Sequence, residues 1–318
     1  MIDANRTLRR YFAPRFVFAP FVPAKIKNMT LTFTPLHPLF AAEVPNVDLP
    51  VLTDPTVLAE IRAGMEQYGV LVFRRQPFKD EEQLEFAKRL DGTLHTQTSQ
   101  AVLVKNRLGT EALSDISNVG PNGEILPPND RRRMGSLANR LWHTDASFVS
   151  PPGRFSMLSA RVLPPVSADT EFACMRAAYD ALDDDMKTLT TGLKVHHSIA
   201  YSRETLGFEF TPAEKEKLKG TVQPLVRAMK DGRRALYLAS HASSIIDWSL
   251  AEGRLLIRDL MEHATQPRFV YRHHWQEADF IIWDNRTTMH RATAFDDKKY
   301  RREMRRTTTL DIEASTNA

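Results

Sequence analysis

A mainly β fold of barrel or jelly-roll type with flanking helices is what the sequence predicts, on three observations. Strand-like stretches at 154–163, 235–240, 268–275 and 278–284 are scattered along the chain. Helical patterns fall between and before them at irregular intervals, and the βαβ rhythm of a doubly wound sheet is missing. No repeat, low-complexity tract or long linker divides the chain, so residues 29–318 read as one domain.

The elements follow in order. Asp54-Pro55 reads as a helix cap followed by proline at the first helical position, and Leu58, Ile61, Met65 and Tyr68 then recur at helical spacing. Gly69 stops that helix, and Val70-Leu71-Val72-Phe73 has the length and apolarity of a buried strand. Further helices are expected over 80–90, over 175–191 ended by Gly192, and over 251–265 ended near Pro267. Within 268–275, Phe269, Tyr271, His273 and Trp275 alternate with polar neighbours, Val270 apart.

Composition narrows the function. The chain has 318 residues, 43 Lys plus Arg against 39 Asp plus Glu, 42% hydrophobic residues and one Cys, which excludes disorder, collagen and a disulfide scaffold. Charge or proline interrupts every apolar run well short of the roughly 20 residues a membrane-spanning helix needs. With Cys174 alone, no internal disulfide or multi-thiolate metal site can form, which fits a reducing, cytoplasmic setting. The net charge of +4 sits in residues 1–28, which carry six cations and one anion, so nucleic-acid binding has no electrostatic support in the body of the chain. Pro14, Pro20 and Pro23 spoil the amphipathic helix of a transit peptide, and Met29 opens a segment that reads as a natural start. Residues 1–28 are therefore expected to be an N-terminal extension outside the fold.

The chemistry concentrates in two places. In Leu141-Trp142-His143-Thr144-Asp145, strand alternation would put His143 and Asp145 on the same face, where both can grip one ion. In Trp283-Asp284-Asn285-Arg286-Thr287-Thr288-Met289-His290, an apolar strand runs into a polar turn and closes on His290, a candidate third ligand. Two imidazoles and one carboxylate with open opposite positions are the arrangement of non-haem Fe(II) oxygenases. Of the remaining histidines, His196, His197, His273 and His274 read as core or surface residues, and His37, His95, His241 and His263 have no partner at a metal-binding spacing. Thr170 stands 27 residues after His143, and alone it reads as an ordinary strand or turn threonine. Arg302 and Arg306 follow His290 by 12 and 16 residues in a run that alone reads as a solvated basic stretch. A strand over 302–310 would put Arg302, Met304 and Arg306 on one face. Beside a metal triad, a guanidinium and a threonine hydroxyl could together hold a carboxylate.

The residues Leu141 to Phe148, Asp169-Thr170-Glu171-Phe172 with Met175 to Leu182, Trp283 to His290 and Arg302 to Thr309 together resemble the Fe(II)/2-oxoglutarate-dependent dioxygenase family of taurine dioxygenase and 2,4-dichlorophenoxyacetate dioxygenase. The phenoxyacetate branch is the closer match, through Pro38 to Ala42, Asp115 to Val119, His263 to Gln266 and Phe269 to His273.

The resemblance implies a double-stranded β-helix, or jelly roll, with helices packed on one side. It implies His143, Asp145 and His290 as ligands of Fe(II), Thr170 and Arg302 as the anchor of 2-oxoglutarate, and Arg306 as the residue meeting the substrate's acidic group. Asn139 matches a position facing cosubstrate or substrate. O2 would be the oxidant, with ascorbate as the reductant in vitro. The small acidic substrate of such an enzyme is hydroxylated, and an aryloxyacetate treated so collapses to a phenol and glyoxylate. Two departures qualify this. The turn near Asp296-Asp297-Lys298-Lys299 holds one residue more than the family usually has, leaving Arg301 and Arg305 as alternative anchors. His95 falls out of register for a taurine-type site. Alternatives are a sulfonate dioxygenase, a zinc hydrolase, or a non-catalytic jelly-roll protein holding a structural metal. Substrate-lining residues are expected from 92–125 and 199–210. Oligomeric state stays open, homo-oligomers being common among soluble enzymes.

Overall fold

In the computed structural model the described residues are 30–96 and 107–312. The expected extension at 1–28 lies outside them. The family-like core is mainly β, and its largest sheet has seven strands. Their order is Thr34–Pro35, Ala42–Glu43, Val70–Phe73, Phe280–Asp284, Gly153–Val162, Glu303–Leu310 and Ser114–Ser117. A three-stranded sheet pairs Thr170–Cys174 between Val270–His273 and Thr288–Ala292, all antiparallel.

Alternation explains how these sheets pack. Val70, Val72, Ile281, Trp283, Leu158 and Met304 project from one face of the large sheet onto Phe172 and Cys174 of the smaller one. Leu71, Phe73, Phe280, Ile282, Phe155 and Met157 project from the other face. There they meet Leu58, Ile61 and Met65 of the helix Pro55–Tyr68, and Phe86 and Leu90 of the helix Asp80–Asp91. Burying a side chain of this size contributes about 1.5–3 kcal/mol, so both faces of the central strands are fixed by packing.

The first helix behaves as expected. Asp54 accepts a hydrogen bond from Thr56 N at 2.8 Å, Pro55 opens the helix, and Gly69 closes it at φ 71°, where a Cβ would be strained. The helix expected over 175–191 is instead two, Met175–Asp180 and Asp184–Thr190. Asp183 accepts from Met186 N at 2.8 Å and caps a fresh start, so the acidic run breaks what the apolar period would continue. The helix over 251–265 is Leu250–Ala264, capped by Ser249. Strand 235–240 shortens to Arg234–Leu236, and 268–275 opens with the 3-10 turn Pro267–Phe269 before Val270–His273. No helix among the described residues is long and apolar enough to cross a membrane.

Candidate metal centre and its two chambers

His143 and Asp145 are not on a strand. A short helix, Arg131–Leu137, and a 3-10 turn, Ala138–Arg140, lead into an irregular segment whose one ladder contact is the pair His143–His290. Both backbone bonds of that pair are made, His143 N to His290 O at 3.0 Å and His290 N to His143 O at 2.8 Å. Beyond it the chain leaves the ladder, because Asp145 N donates to the Asn285 side chain at 3.1 Å rather than to a strand. The shared face thus arises from one bridge and one side-chain anchor, not from strand alternation.

His143, Asp145 and His290 are buried, and one ligand atom from each lies within 4.8 Å of the others. Asp145 Oδ1 is 3.9 Å from His143 Nε2, and Oδ2 is 3.7 Å from His290 Nε2. The donor chemistry fits a divalent metal. His143 Nδ1 lies 2.8 Å from Leu141 O, which puts the ring proton on Nδ1 and leaves the Nε2 lone pair facing inward. Burial holds His143 down at about 4 and His290 well below the usual histidine range, so both imidazoles are neutral and able to ligate. His290 is held between Trp283, 4.6 Å away, and Phe172, 6.1 Å away. Burial alone would raise the Asp145 carboxyl, but Arg306, with the Ser156 hydrogen bond beside it, outweighs it and holds it at about 2.

Three groups fix that carboxylate. Arg306 Nη1 donates to Oδ1 at 2.5 Å, and Ser156 Oγ donates to Oδ2 at 2.8 Å. Asn285 Nδ2 donates to Ser156 Oγ at 2.9 Å, while Asn285 Oδ1 accepts from Asp145 N and from Trp283 Nε1, each at 3.1 Å. Gly153 makes room: a Cβ there would lie 2.9 Å from Asp145 O and 3.1 Å from Thr308 Cγ2.

Two chambers meet at the triad. Thr170, Arg302, Trp283, His290, Leu158 and Asn118 line the first, and His95, Phe148, Ile199, Arg203, His241 and Thr308 line the second. Ile116, Ser136, Asn139, His143 and Arg306 line both. The expected carboxylate anchor is therefore assembled in the first chamber. Arg302 is buried, its Nε has no hydrogen-bond partner, and no carboxylate among the described residues forms an ion pair with it. Burial lowers it to about 10, still charged at neutral pH. Thr170 Oγ1 accepts from Trp275 Nε1 at 3.0 Å, which leaves its own proton free to donate. A buried cation lacking an acid beside a free hydroxyl proton fits an anionic cosubstrate.

The alternative anchors point elsewhere. Arg301 is exposed and donates to Glu303 at 2.7 Å, and Arg305 donates to Asp115 at 3.1 Å on the opposite face of the strand. Neither lines a chamber. Arg306, expected to meet the substrate's acidic group, lines both chambers and holds Asp145. His95 and His241, read as bystanders from the sequence, line the second chamber. Ser156 was missed, and Asn285 and Arg203 were given no role of their own. Of the expected substrate segments, His95, Ser114, Ile116, Ile199 and Arg203 do line the chambers, and 97–106 lie outside the described residues.

Two histidines and a carboxylate on one wall of a β-lined cavity, beside a buried arginine awaiting an anion, define a non-haem iron oxygenase with an acidic cosubstrate. The family model "Taurine catabolism dioxygenase TauD, TfdA family" matches residues 32–308, and the chain belongs to that family. It is a dioxygenase with Fe(II) as its metal and 2-oxoglutarate as its cosubstrate. The alpha-ketoglutarate-dependent 2,4-dichlorophenoxyacetate dioxygenase of Cupriavidus pinatubonensis is 42% identical over 285 residues, 89% of this chain and 99% of that protein. The (S)-phenoxypropionate/alpha-ketoglutarate-dioxygenase of Sphingobium herbicidovorans is 34% identical over 82% of this chain and 89% of its own. Among solved structures, AAD-2 in complex with Mn(II) and N-oxalylglycine is similar at a TM-score of 0.84 and 43% identity, covering 89% of this chain and 98% of that one.

Proposed function

We propose that the protein hydroxylates an aryloxyacetate-type carboxylate, such as 2,4-dichlorophenoxyacetate, at the carbon beside the ether oxygen, releasing a phenol and glyoxylate. The carrying observation is the two-chamber site, with an arginine unpaired by any acid among the described residues on one side and, on the other, an arginine-rich cavity that carries an apolar patch of Ile116, Phe148 and Ile199. The name of the relative 42% identical over nearly its whole length supports the same substrate class.

His143, Asp145 and His290 hold the iron, with the Leu141 carbonyl, Ser156 and Arg306 fixing His143 and Asp145. When bound, Fe(II) supplies the oxidising chemistry, drawing on O2 and the decarboxylation of 2-oxoglutarate to succinate. Arg302 takes the distal carboxylate of 2-oxoglutarate in a charged hydrogen bond, and Thr170 adds one from its hydroxyl. Asn139, on the wall common to both chambers, orients whichever ligand faces it. Ile116, Phe148 and Ile199 offer apolar surface to an aromatic ring, and Arg306 meets the acidic group, so that one carbon–hydrogen bond faces the metal. The sheets and helices around this site form a double-stranded β-helix, residues 29–318 form one domain, and the protein works in the cytoplasm, where the buried thiol of Cys174 stays reduced.

The test is succinate formation by protein loaded anaerobically with Fe(II), then given air, 2-oxoglutarate and ascorbate. It compares 2,4-dichlorophenoxyacetate, taurine and no substrate. The reading expects stimulation by the phenoxyacetate with phenol release, and stimulation by taurine alone overturns it in favour of a sulfonate dioxygenase.

A further inference from the structure

Four arginines line the second chamber, and three have partners. Arg131 Nη2 lies 2.9 Å from Glu214, Arg132 donates to Val119 O and lies 3.6 Å from Asp115, and Arg306 holds Asp145 at 2.5 Å. Arg203 pairs with no carboxylate among the described residues, and Asp145 is the one acid on this chamber's described wall.

Yet Arg203 is not a loose surface side chain. It sits on the helix Ile199–Glu204, and its Nη1 donates to Ser202 Oγ at 3.0 Å. Ser202 Oγ donates to Ile199 O at 2.9 Å and meets His241 Nδ1 at 2.9 Å, so one hydroxyl joins the arginine to a histidine of the same chamber. Burial and the neighbouring Arg306 lower Arg203 to about 10, which leaves it charged at neutral pH. Arg203 is half-buried, and a partly desolvated guanidinium held in place across from a carboxylate already engaged leaves its counter-charge to come from solution.

We propose that Arg203 is the principal anchor of the substrate's anionic group, with Arg306 as a secondary contact because its Nη1 is committed to Asp145. This rests on the second chamber being the substrate site. It assigns the chamber to monoanionic organic acids, since Arg306 is engaged with Asp145 and Arg203 is the one arginine of this wall with no acid partner among the described residues. The Ser202–His241 tether fixes where the anion sits relative to the metal, and so which carbon is presented.

The experiment is calorimetric binding to anaerobic protein loaded with Fe(II) and 2-oxoglutarate, comparing wild type with Arg203→Met. The probes are 2,4-dichlorophenoxyacetate, its uncharged amide, and benzenesulfonate. Wild type is expected to bind the acid more tightly than the amide, and Arg203→Met to lose about 30-fold for the acid but less than about 3-fold for the amide, the scale of one charge-assisted hydrogen bond. Arg203→Lys, which keeps the charge but not the planar fork, should fall between, and it carries the comparison should Arg203→Met not fold. Equal losses for acid and amide would mean a packing role and overturn the proposal, as would acid affinity surviving in Arg203→Met. If wild type binds the sulfonate and not the phenoxyacetate, the aryloxyacetate reading falls, and the anchor stands only if the sulfonate shows the same Arg203-dependent loss. If wild type binds neither anion better than the amide, both fall.

Discussion

Ser156 Oγ donates to Asp145 Oδ2 at 2.8 Å, across eleven residues of sequence, and is itself held by Asn285 Nδ2 at 2.9 Å. The carboxylate of the metal site is thereby tied to the middle of the large sheet, through the strand Gly153–Val162, and to the turn just before His290. This hydroxyl joins the His143–His290 bridge and the Asn285–Asp145 bond in holding together the two halves of the site, far apart in the chain.

Ser156→Ala should consequently keep the fold and weaken the metal. Groups that orient a ligand are worth about 10–100-fold in metal affinity, and a loss in that range is expected on titrating Fe(II) or Mn(II), with the far-ultraviolet circular dichroism unchanged. Unaltered affinity would show that Arg306 alone suffices to hold Asp145.

Arg302 separates stability from function. Because it is buried without an acid partner, Arg302→Met should leave the melting temperature of the ligand-free protein level or higher. The KM for 2-oxoglutarate should rise by about 100-fold. Thr170→Val, which removes one neutral hydrogen bond, should raise it by about 2–10-fold.

Gly153→Ala tests the close approach behind Asp145. The added Cβ would press on the Asp145 carbonyl at 2.9 Å, so a loss of about 1–3 kcal/mol in stability is expected, together with weaker metal binding. Denaturant midpoints measured with and without Mn(II) would separate the two effects.

Asp91 gives the protein a pH dependence away from the metal. Burial raises its carboxyl to about 6 despite Arg154 and Thr309 beside it. Its folded value lies above the unfolded one, so the folded state holds the proton more tightly. This contribution is fully present below about pH 4 and is lost as pH rises through about 6, amounting to about 3 kcal/mol. Asp91→Asn should show a smaller fall in urea midpoint between pH 4 and 7 than wild type, and equal slopes would reject the assignment.

The metal triad was legible in part because His143 and Asp145 lie two apart and the apolar run 280–283 is plain, although His290 sits inside the next strand, Thr288–Ala292, rather than closing that run. Thr170, Arg302 and the arginine register needed the family resemblance, since each alone is an ordinary residue. Ser156 and His241 escaped both, and Asn285 and Arg203 fell within stretches the sequence picks out without a role of their own. They come from separate strands, turns and a short helix, and only the tertiary pairing brings them to one cavity. The helices at 55–68 and 80–91 were legible from caps and period, whereas the split at Asp183 was not, because a cap inside an apolar pattern outweighs the period.

The division of the cavity also shapes how the enzyme can be blocked. The chambers share Ile116, Ser136, Asn139, His143 and Arg306 and differ in the rest of their lining. On the proposed assignment, a dicarboxylate mimic seated on Arg302 is expected to compete with 2-oxoglutarate while leaving the wall of Phe148 and Ile199 free, and an aryl acid seated there to leave Arg302 free. Inhibitors of the two kinds are then expected to occupy the protein together, each antagonised by raising only its own reactant.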